Sequence, residues 1–315
     1  MEMGSLYKKW SANLSLFTVA FIWGTTFVIV QNAIAVLPPL TFNAVRFLIA
    51  GLLLLAITSI YHKKSATMLR KAIIPGTILG FFLFIGYSLQ TIGLVYTTPS
   101  KAGFITGLSV VMVPFIAFFI LKTKPTFAAI IGATAAVIGL YLLTFKNTAT
   151  LSIGDFYVLL CAFGFAFHIV FTSRYAQNQG VMALTTIQLL AVSFFCWIGA
   201  IFFENWHVVF QKKYLFDEEV MFGLLVTAFL GTAAAFFLQT YAQRYVKPSR
   251  VALILTMEPV FAAATSYIWL QERLSIVGVI GCFFIFIGMI LAELPILQRT
   301  ELFFKKQRDK SIQLK

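Results

Sequence analysis

Two stretches of this chain repeat each other at one fixed offset. Leu89-Gln90-Thr91, Tyr96 and Pro99-Ser100-Lys101 return 149 positions later as Leu238-Gln239-Thr240, Tyr245 and Pro248-Ser249-Arg250. The same offset carries Ile131-Gly132 and Ile138-Gly139 onto Ile280-Gly281 and Ile287-Gly288. A duplication of this length means that one half of the molecule is a structural copy of the other, so any fold has to be built twice from the same pattern.

Hydropathy says what each copy is made of. The chain is 60% hydrophobic and 11% charged, with a mean hydropathy of +0.91, well above the roughly 45–50% apolar content of a soluble domain. Apolar runs long enough to cross about 30 Å of hydrocarbon fall at about 11–33, 40–61, 72–94, 100–121, 126–146, 153–173, 183–204, 219–241, 249–270 and 275–294. The expected fold is therefore an all-α integral membrane protein with ten transmembrane helices, five in 1–146 and five in 147–294, followed by a basic tail at 295–315. Because five is odd, the second half enters the bilayer upside down, which makes the two halves inverted repeats. The first run ends in Ala33-Ile34-Ala35, a superficial cleavage site. It is too long for a signal sequence and is interrupted by Trp23-Gly24-Thr25-Thr26, so it reads as a retained first helix.

The net charge of +13 could suggest a nucleic-acid partner, but the distribution of the cations argues against one. With the N-terminus placed in the cytoplasm, eighteen of the 24 Lys and Arg residues fall inside, whereas Lys101, Lys146, Lys212, Lys213 and Arg273 fall outside and Arg46 lies within a helix. This is the positive-inside bias, which predicts a multi-pass protein of the cell membrane with both termini cytoplasmic. The tail then reads as a topology anchor on anionic lipid. Cys161, Cys196 and Cys282 sit singly in three separate predicted helices, without metal spacing, and read as small packing residues.

Several local patterns resemble a known family. Trp23-Gly24-Thr25-Thr26-Phe27, Arg46-Phe47, and Glu258-Pro259-Val260-Phe261 followed by Leu270-Gln271-Glu272-Arg273-Leu274 resemble the EamA-type branch of the drug/metabolite transporter superfamily over about residues 11–294. The resemblance implies ten helices around a central cavity, cytoplasmic termini and, usually, export of amino acids, other small metabolites or drugs. The first half departs from the pattern. Leu121-Lys122-Thr123-Lys124-Pro125 stands where an acidic Leu-x-Glu-Arg-like end is common, and Pro114 lies four positions beyond Val110, the repeat partner of Pro259. Four residues is about one helical turn, so the two halves are expected to kink at different depths.

Polar groups at membrane depth are the site candidates, since each is costly there. Glu258 falls near the midplane, where it could hold a proton or receive an amine. The alternative is that it bonds a carbonyl freed by Pro259 and pins the kink. Its repeat partner is Ser109. Arg46 lies about six residues from the outer end of its span, roughly 9 Å at 1.5 Å per residue. That is shallow enough to snorkel, so packing or topology is favoured over substrate contact. Trp23-Gly24 and Phe163-Gly164 both sit mid-helix, where an aromatic can wall a cavity while the glycine admits another backbone. His168 has no carboxylate or cysteine at ligand spacing, so it is a cavity contact or a buried hydrogen-bonded histidine, and no metal is expected. Gln90 and Gln239, with Tyr87, Tyr96, Tyr241 and Tyr245 nearby, are expected at opposite mouths as two gates, Tyr96 and Tyr245 being equally readable as interfacial anchors. The expected substrate-contacting set is Trp23, Tyr87, Gln90, Ser109, His168, Gln239 and Glu258. Gly76-x-x-x-Gly80, Gly103-x-x-x-Gly107, Ala162-x-x-x-Ala166 and the pairs Gly132/Gly139 and Gly281/Gly288 mark close helix approach, between the halves rather than between copies.

There is no Walker lysine loop, nucleophile elbow, dinucleotide fingerprint or paired metal-ligand motif. The expected function is a secondary transporter, an exporter by direction, for a small-molecule substrate, with no cofactor, a coupling proton as candidate partner, and a monomeric or homodimeric state. The alternative is a non-transporting receptor or scaffold, for which the short basic tail offers little output.

Overall fold

The computed structural model describes residues 2–61, 65–144, 152–269 and 275–293, and among them every regular element is helical. The order is α1 (Glu2–Val36), α2 (Pro39–Tyr61), α3 (Ser65–Tyr96), α4 (Pro99–Gly107), α5 (Ser109–Leu121), α6 (Phe127–Thr144), α7 (Ile153–Tyr175) and α8 (Val181–Phe203). After a 3₁₀ turn at Trp206–Phe210 come α9 (Lys212–Leu215), α10 (Glu218–Val226), a π-helical stretch at Thr227–Ala234, α11 (Ala235–Ala242), α12 (Pro248–Leu255), α13 (Glu258–Trp269) and α14 (Ile276–Glu293). The Leu270–Leu274 motif, Lys146 and the tail lie outside the described residues.

Local chemistry sets the helix starts. Pro99 and Pro248 stand in the first turn of α4 and α12, where a missing N–H costs nothing. Ser152 and Asp155 form a reciprocal capping box at α7. The Glu204 carboxylate, at the end of α8, accepts from the Leu40 and Thr41 amides and from the Thr41 hydroxyl, each at 2.8 Å, and so caps α2 from a distant part of the chain.

Among the described residues seven helical stretches are long and apolar enough to cross a membrane: Tyr7–Val36, Pro39–Tyr61, Ser65–Tyr96, Lys101–Leu121, Ile153–Tyr175, Val181–Phe203 and Glu218–Ala242. The runs expected at 126–146 and 275–294 appear as the shorter apolar helices Phe127–Leu142 and Ile276–Leu291. The run expected at 249–270 is split into α12 and α13. The surface is inside-out relative to a soluble protein: Phe119, Phe202, Phe203, Ile268 and Phe283 point outward, whereas Asn43, Arg46, His168, Gln188, Gln239 and Gln243 are buried. Apolar side chains outside and hydrogen-bonding ones inside suit a lipid solvent.

The expected difference in kink depth is not found. α4 gives way to α5 at Leu108, and α12 to α13 at Thr256-Met257, and the offset of 149 maps Met257 onto Leu108. At both breaks the backbone tightens into three-residue bonds, Leu108 N to Ile105 O at 3.1 Å and Met257 N to Ile254 O at 3.1 Å. Pro114 stays inside α5 without ending it, and Pro259 is the second residue of α13, a position that tolerates proline. The breaks therefore precede both prolines.

The glycine stripes pack helix on helix within the chain. A Cβ on Gly139 of α6 would lie 2.5 Å from the Gly281 carbonyl of α14, and one on Gly288 would lie 2.6 Å from the Gly132 carbonyl, so the two pairs face each other reciprocally. Gly76 and Gly80 receive Ile187, Gln188 and Ala191 of α8 in the same way. α1 packs on α11 and α13, while α7 packs on α3 and α5, so the leading helix of each half leans on the other half.

Candidate functional site

The two breaks face a central chamber of about 50 Å³, and all seven expected residues, Trp23, Tyr87, Gln90, Ser109, His168, Gln239 and Glu258, line it. At that size it holds a few waters, since one needs roughly 10–15 Å³ of such space, so a metabolite can enter only if helices move. A second hollow of about 30 Å³ shares Trp23, Tyr87, Gln90 and Glu258 with it and adds Arg46, Thr26 and Thr227.

α1 supplies Trp23. Its indole Nε1 donates to the Gly231 carbonyl at 2.8 Å, and its ring lies 5.3 Å from Phe236. Gly231 belongs to the π-helical stretch, whose widened turn frees backbone groups for such partners. Gly24, the next residue, lets α1 press on the start of α13: a Cβ there would be 2.5 Å from the Glu258 carbonyl oxygen. Gly164 admits the Gly86 backbone of α3 in the same fashion, but its neighbour Phe163 is 46% exposed and does not line the chamber. Phe165 lines the chamber instead, on the same face as His168.

Gln90 and Gln239 are both buried and face this one chamber, which corrects their expected placement at opposite mouths. Gln90 stands six residues before the end of α3 and Gln239 three before the end of α11, and both reach the chamber from there. Gln90 Nε2 donates to Thr106 Oγ1 at 3.1 Å, whereas Gln239 Oε1 is buried without a partner. Tyr96 is exposed, as an interfacial anchor would be. His168 Nε2 lies 2.9 Å from Gln188 Oε1 and 3.1 Å from Thr172 Oγ1, and Gln188 Nε2 donates to Thr240 Oγ1 at 3.2 Å. This chain of hydrogen bonds ties α7, α8 and α11 together, and no metal-holding cluster is present among the described residues.

Arg46 departs most from expectation. It does not snorkel: only 4% of it is exposed, and its guanidinium carbon stands 4.6 Å from the Tyr87 ring centre and 4.9 Å from that of Phe47. Those aromatic faces compensate the cation in place of headgroups, and its Nε has no hydrogen-bond partner. The chamber region thus holds one cation and, half-buried at the start of α13, one acid.

The sequence profile of the EamA-like transporter family matches residues 10–145 and again 152–294. The chain belongs to the EamA-like transporter family. As an EamA-like protein it is a multi-pass membrane transporter. It is 34% identical over 289 residues to a protein of Archaeoglobus fulgidus named an uncharacterized transporter, covering 92% of this chain and 88% of that one. It is 28% identical over 141 residues to the S-adenosylmethionine/S-adenosylhomocysteine transporter of Chlamydia muridarum, covering 44% and 43% of the two chains. A solved crystal structure superposes with a TM-score of 0.75 at 18% identity, covering 92% of this EamA-like chain and 99% of that one, a likeness of fold alone.

Sequence reasoning passed over Thr106, Thr256 and the π-helical stretch. Thr256 lines the chamber, and its Oγ1 donates to the Leu253 carbonyl at 2.6 Å, closing the end of α12. The signal for it was the Thr256-Met257-Glu258-Pro259 run, a hydroxyl residue just ahead of a helix-starting acid and proline. The π-helical stretch left no signal beyond Gly231.

Proposed function

We propose that this EamA-like protein is a secondary transporter that exports a small, amine-bearing metabolite by alternating access through the central chamber, its ten spans arranged as two inverted five-helix repeats at 1–146 and 147–294. The observation that carries this reading is the placement of Glu258. It is a carboxylate at a helix break, open to a chamber that also receives Trp23, Tyr87, Gln90, Ser109, His168 and Gln239 from both halves. An acid there can hold either a proton or a substrate amine, and exclusive occupancy by one or the other couples the two. The relative named for S-adenosylmethionine transport supports a small amine-bearing organic substrate. Short free helix ends at the breaks supply backbone groups that a substrate meets only at membrane depth.

The test is Glu258→Gln, which keeps size and hydrogen bonding but removes titration. In reconstituted vesicles the variant should lose uptake or efflux driven by a pH gradient and retain substrate exchange. Unchanged pH-driven transport against a gradient would remove Glu258 from coupling. The proposed orientation, with both termini in the cytoplasm of a cell-membrane protein, is checked separately. A cysteine replacing exposed Lys212 should react with an impermeant reagent in intact cells, and one replacing Arg308 only after lysis.

A further inference from the structure

His168 stands on the chamber wall, and among the described residues hydrogen bonds reach only one of its two ring nitrogens. Nε2 lies 2.9 Å from Gln188 Oε1 and 3.1 Å from Thr172 Oγ1. Gln188, on α8, is fully buried behind the wall rather than on it. Its amide is turned by a contact at the other end, where Nε2 donates to Thr240 Oγ1 at 3.2 Å. With the amide held that way, an oxygen faces His168 Nε2, and two lone pairs would oppose each other at 2.9 Å unless that nitrogen carries the ring's proton. Among the described residues no carboxylate pairs with His168 to balance a second proton. Donation through Nε2 makes Nδ1 an acceptor.

Two other groups on the wall have the same hydrogen-bonding sense. The Gln90 amide nitrogen is spent on Thr106 Oγ1 at 3.1 Å, which leaves the carbonyl Oε1 as its end for the chamber. Among the described residues Glu258 is the only charged side chain on this wall, and a carboxylate only accepts. His168 comes from α7, Gln90 from α3 and Glu258 from α13, so acceptors arrive from three helices. Between them the wall is aromatic, with Trp23, Tyr87, Phe165 and Phe236. Aromatic faces attract any cation, quaternary ammonium included. Acceptors hold only a cation that carries N–H groups, and a primary ammonium has three. A hollow that holds a few waters also holds a head group of that size.

We propose that His168, held in its Nε2–H tautomer by Gln188, determines specificity in the chamber: Nδ1 accepts one N–H of the substrate's ammonium, Gln90 and Glu258 accept the others, and the protein takes primary amines in preference to quaternary ones. Gln188 is the positioning residue behind it. The inference rests on the reading of the chamber as an amine site. A quaternary ammonium would leave all three acceptors buried and unpaired, the case in which a site built for hydrogen bonds discriminates most strongly.

The experiment compares tert-butylammonium with tetramethylammonium, which match in size, shape and charge and differ in their N–H groups. Affinity for the full chain in detergent is read from the rise in unfolding temperature across a titration, beside nitrogen NMR of protein labelled at its three histidines. tert-Butylammonium should bind at least about ten-fold more tightly. The His168 signals, assigned by their loss in His168→Phe, should show a protonated Nε2 and an unprotonated Nδ1 whose resonance moves when the primary amine binds. Gln188→Met, similar in volume but without the acceptor, should mix the two tautomers and weaken tert-butylammonium binding several-fold, with tetramethylammonium binding unchanged. Equal weakening of both cations would make Gln188 merely structural and overturns the proposal. So does a proton on Nδ1 in the unaltered protein, or equal or tighter binding of tetramethylammonium. Those last two readings need no variant, so they decide the matter even if Gln188→Met does not fold. Binding of neither cation overturns the amine reading of the chamber and this inference with it, whereas binding of both without discrimination overturns this inference alone.

Discussion

The broken pairs α4/α5 and α12/α13 stop at the same position of the repeat, yet they bring different chemistry to the chamber. On one side Gly107 ends α4 and Ser109 begins α5; on the other Thr256 follows α12 and Glu258 begins α13. A glycine loosens the first break, and a threonine hydroxyl folded onto the Leu253 carbonyl closes the second. The break is thus a property of the shared architecture, while the titratable group belongs to one half alone. The leading helices repeat the lesson: Gly24 brings α1 against the start of α13, where the acid is, whereas Gly164 brings α7 against unbroken α3. Duplication conserved the frame and let one copy take on the charge.

This contrast can be broken most directly at the two helix starts. Glu258→Gln should reduce pH-driven transport to the background of empty vesicles, whereas Ser109→Ala should leave pH dependence intact and alter only apparent substrate affinity. Comparable pH defects in both variants would mean that the halves share the coupling role. Next in size, Gly139→Ala forces α6 away from α14, because its Cβ would lie 2.5 Å from the Gly281 carbonyl. Overpacking of this kind costs about 1–3 kcal/mol. Gly103→Ala, whose Cβ would meet Pro259 at an ordinary 3.7 Å, should be nearly neutral. Chemical unfolding in mixed micelles compares the two.

A smaller effect is expected from Trp23→Phe, which removes the bond to the Gly231 carbonyl and should lower stability by about 1 kcal/mol, seen as a reduced unfolding midpoint with some transport retained. Smallest of all, cysteines at Gln90 and Gln239 should be protected by substrate in the same sense, since both line one chamber. Opposite changes in labelling rate would restore the two-gate arrangement.

Much of the site was legible because its members are local anomalies in an apolar text. Glu258, His168, Gln90 and Gln239 stand out wherever the helices are placed, whereas Phe163 was chosen as a cavity wall and Phe165, on the His168 face, was passed over. Arg46 was misplaced for a physical reason: depth along a helix can be counted, but the direction a side chain faces depends on neighbours, and Tyr87 and Phe47 surround it only once α2 and α3 are side by side. The glutamines were assigned to opposite mouths by counting along inverted spans, a count that did not include the lateral convergence of α3 and α11 on one hollow.

Hydropathy, the offset of 149 and the small-residue stripes determined that this chain is a helical membrane protein built twice over, because these depend on composition and period within single segments. Where the helices break, which polar groups share a chamber, and that a buried arginine rests on aromatic faces were decided by tertiary structure. Each of those outcomes depends on which surfaces of distant segments meet, and in a bilayer that choice rests on close packing and hydrogen-bond satisfaction between helices rather than on any property of one helix alone.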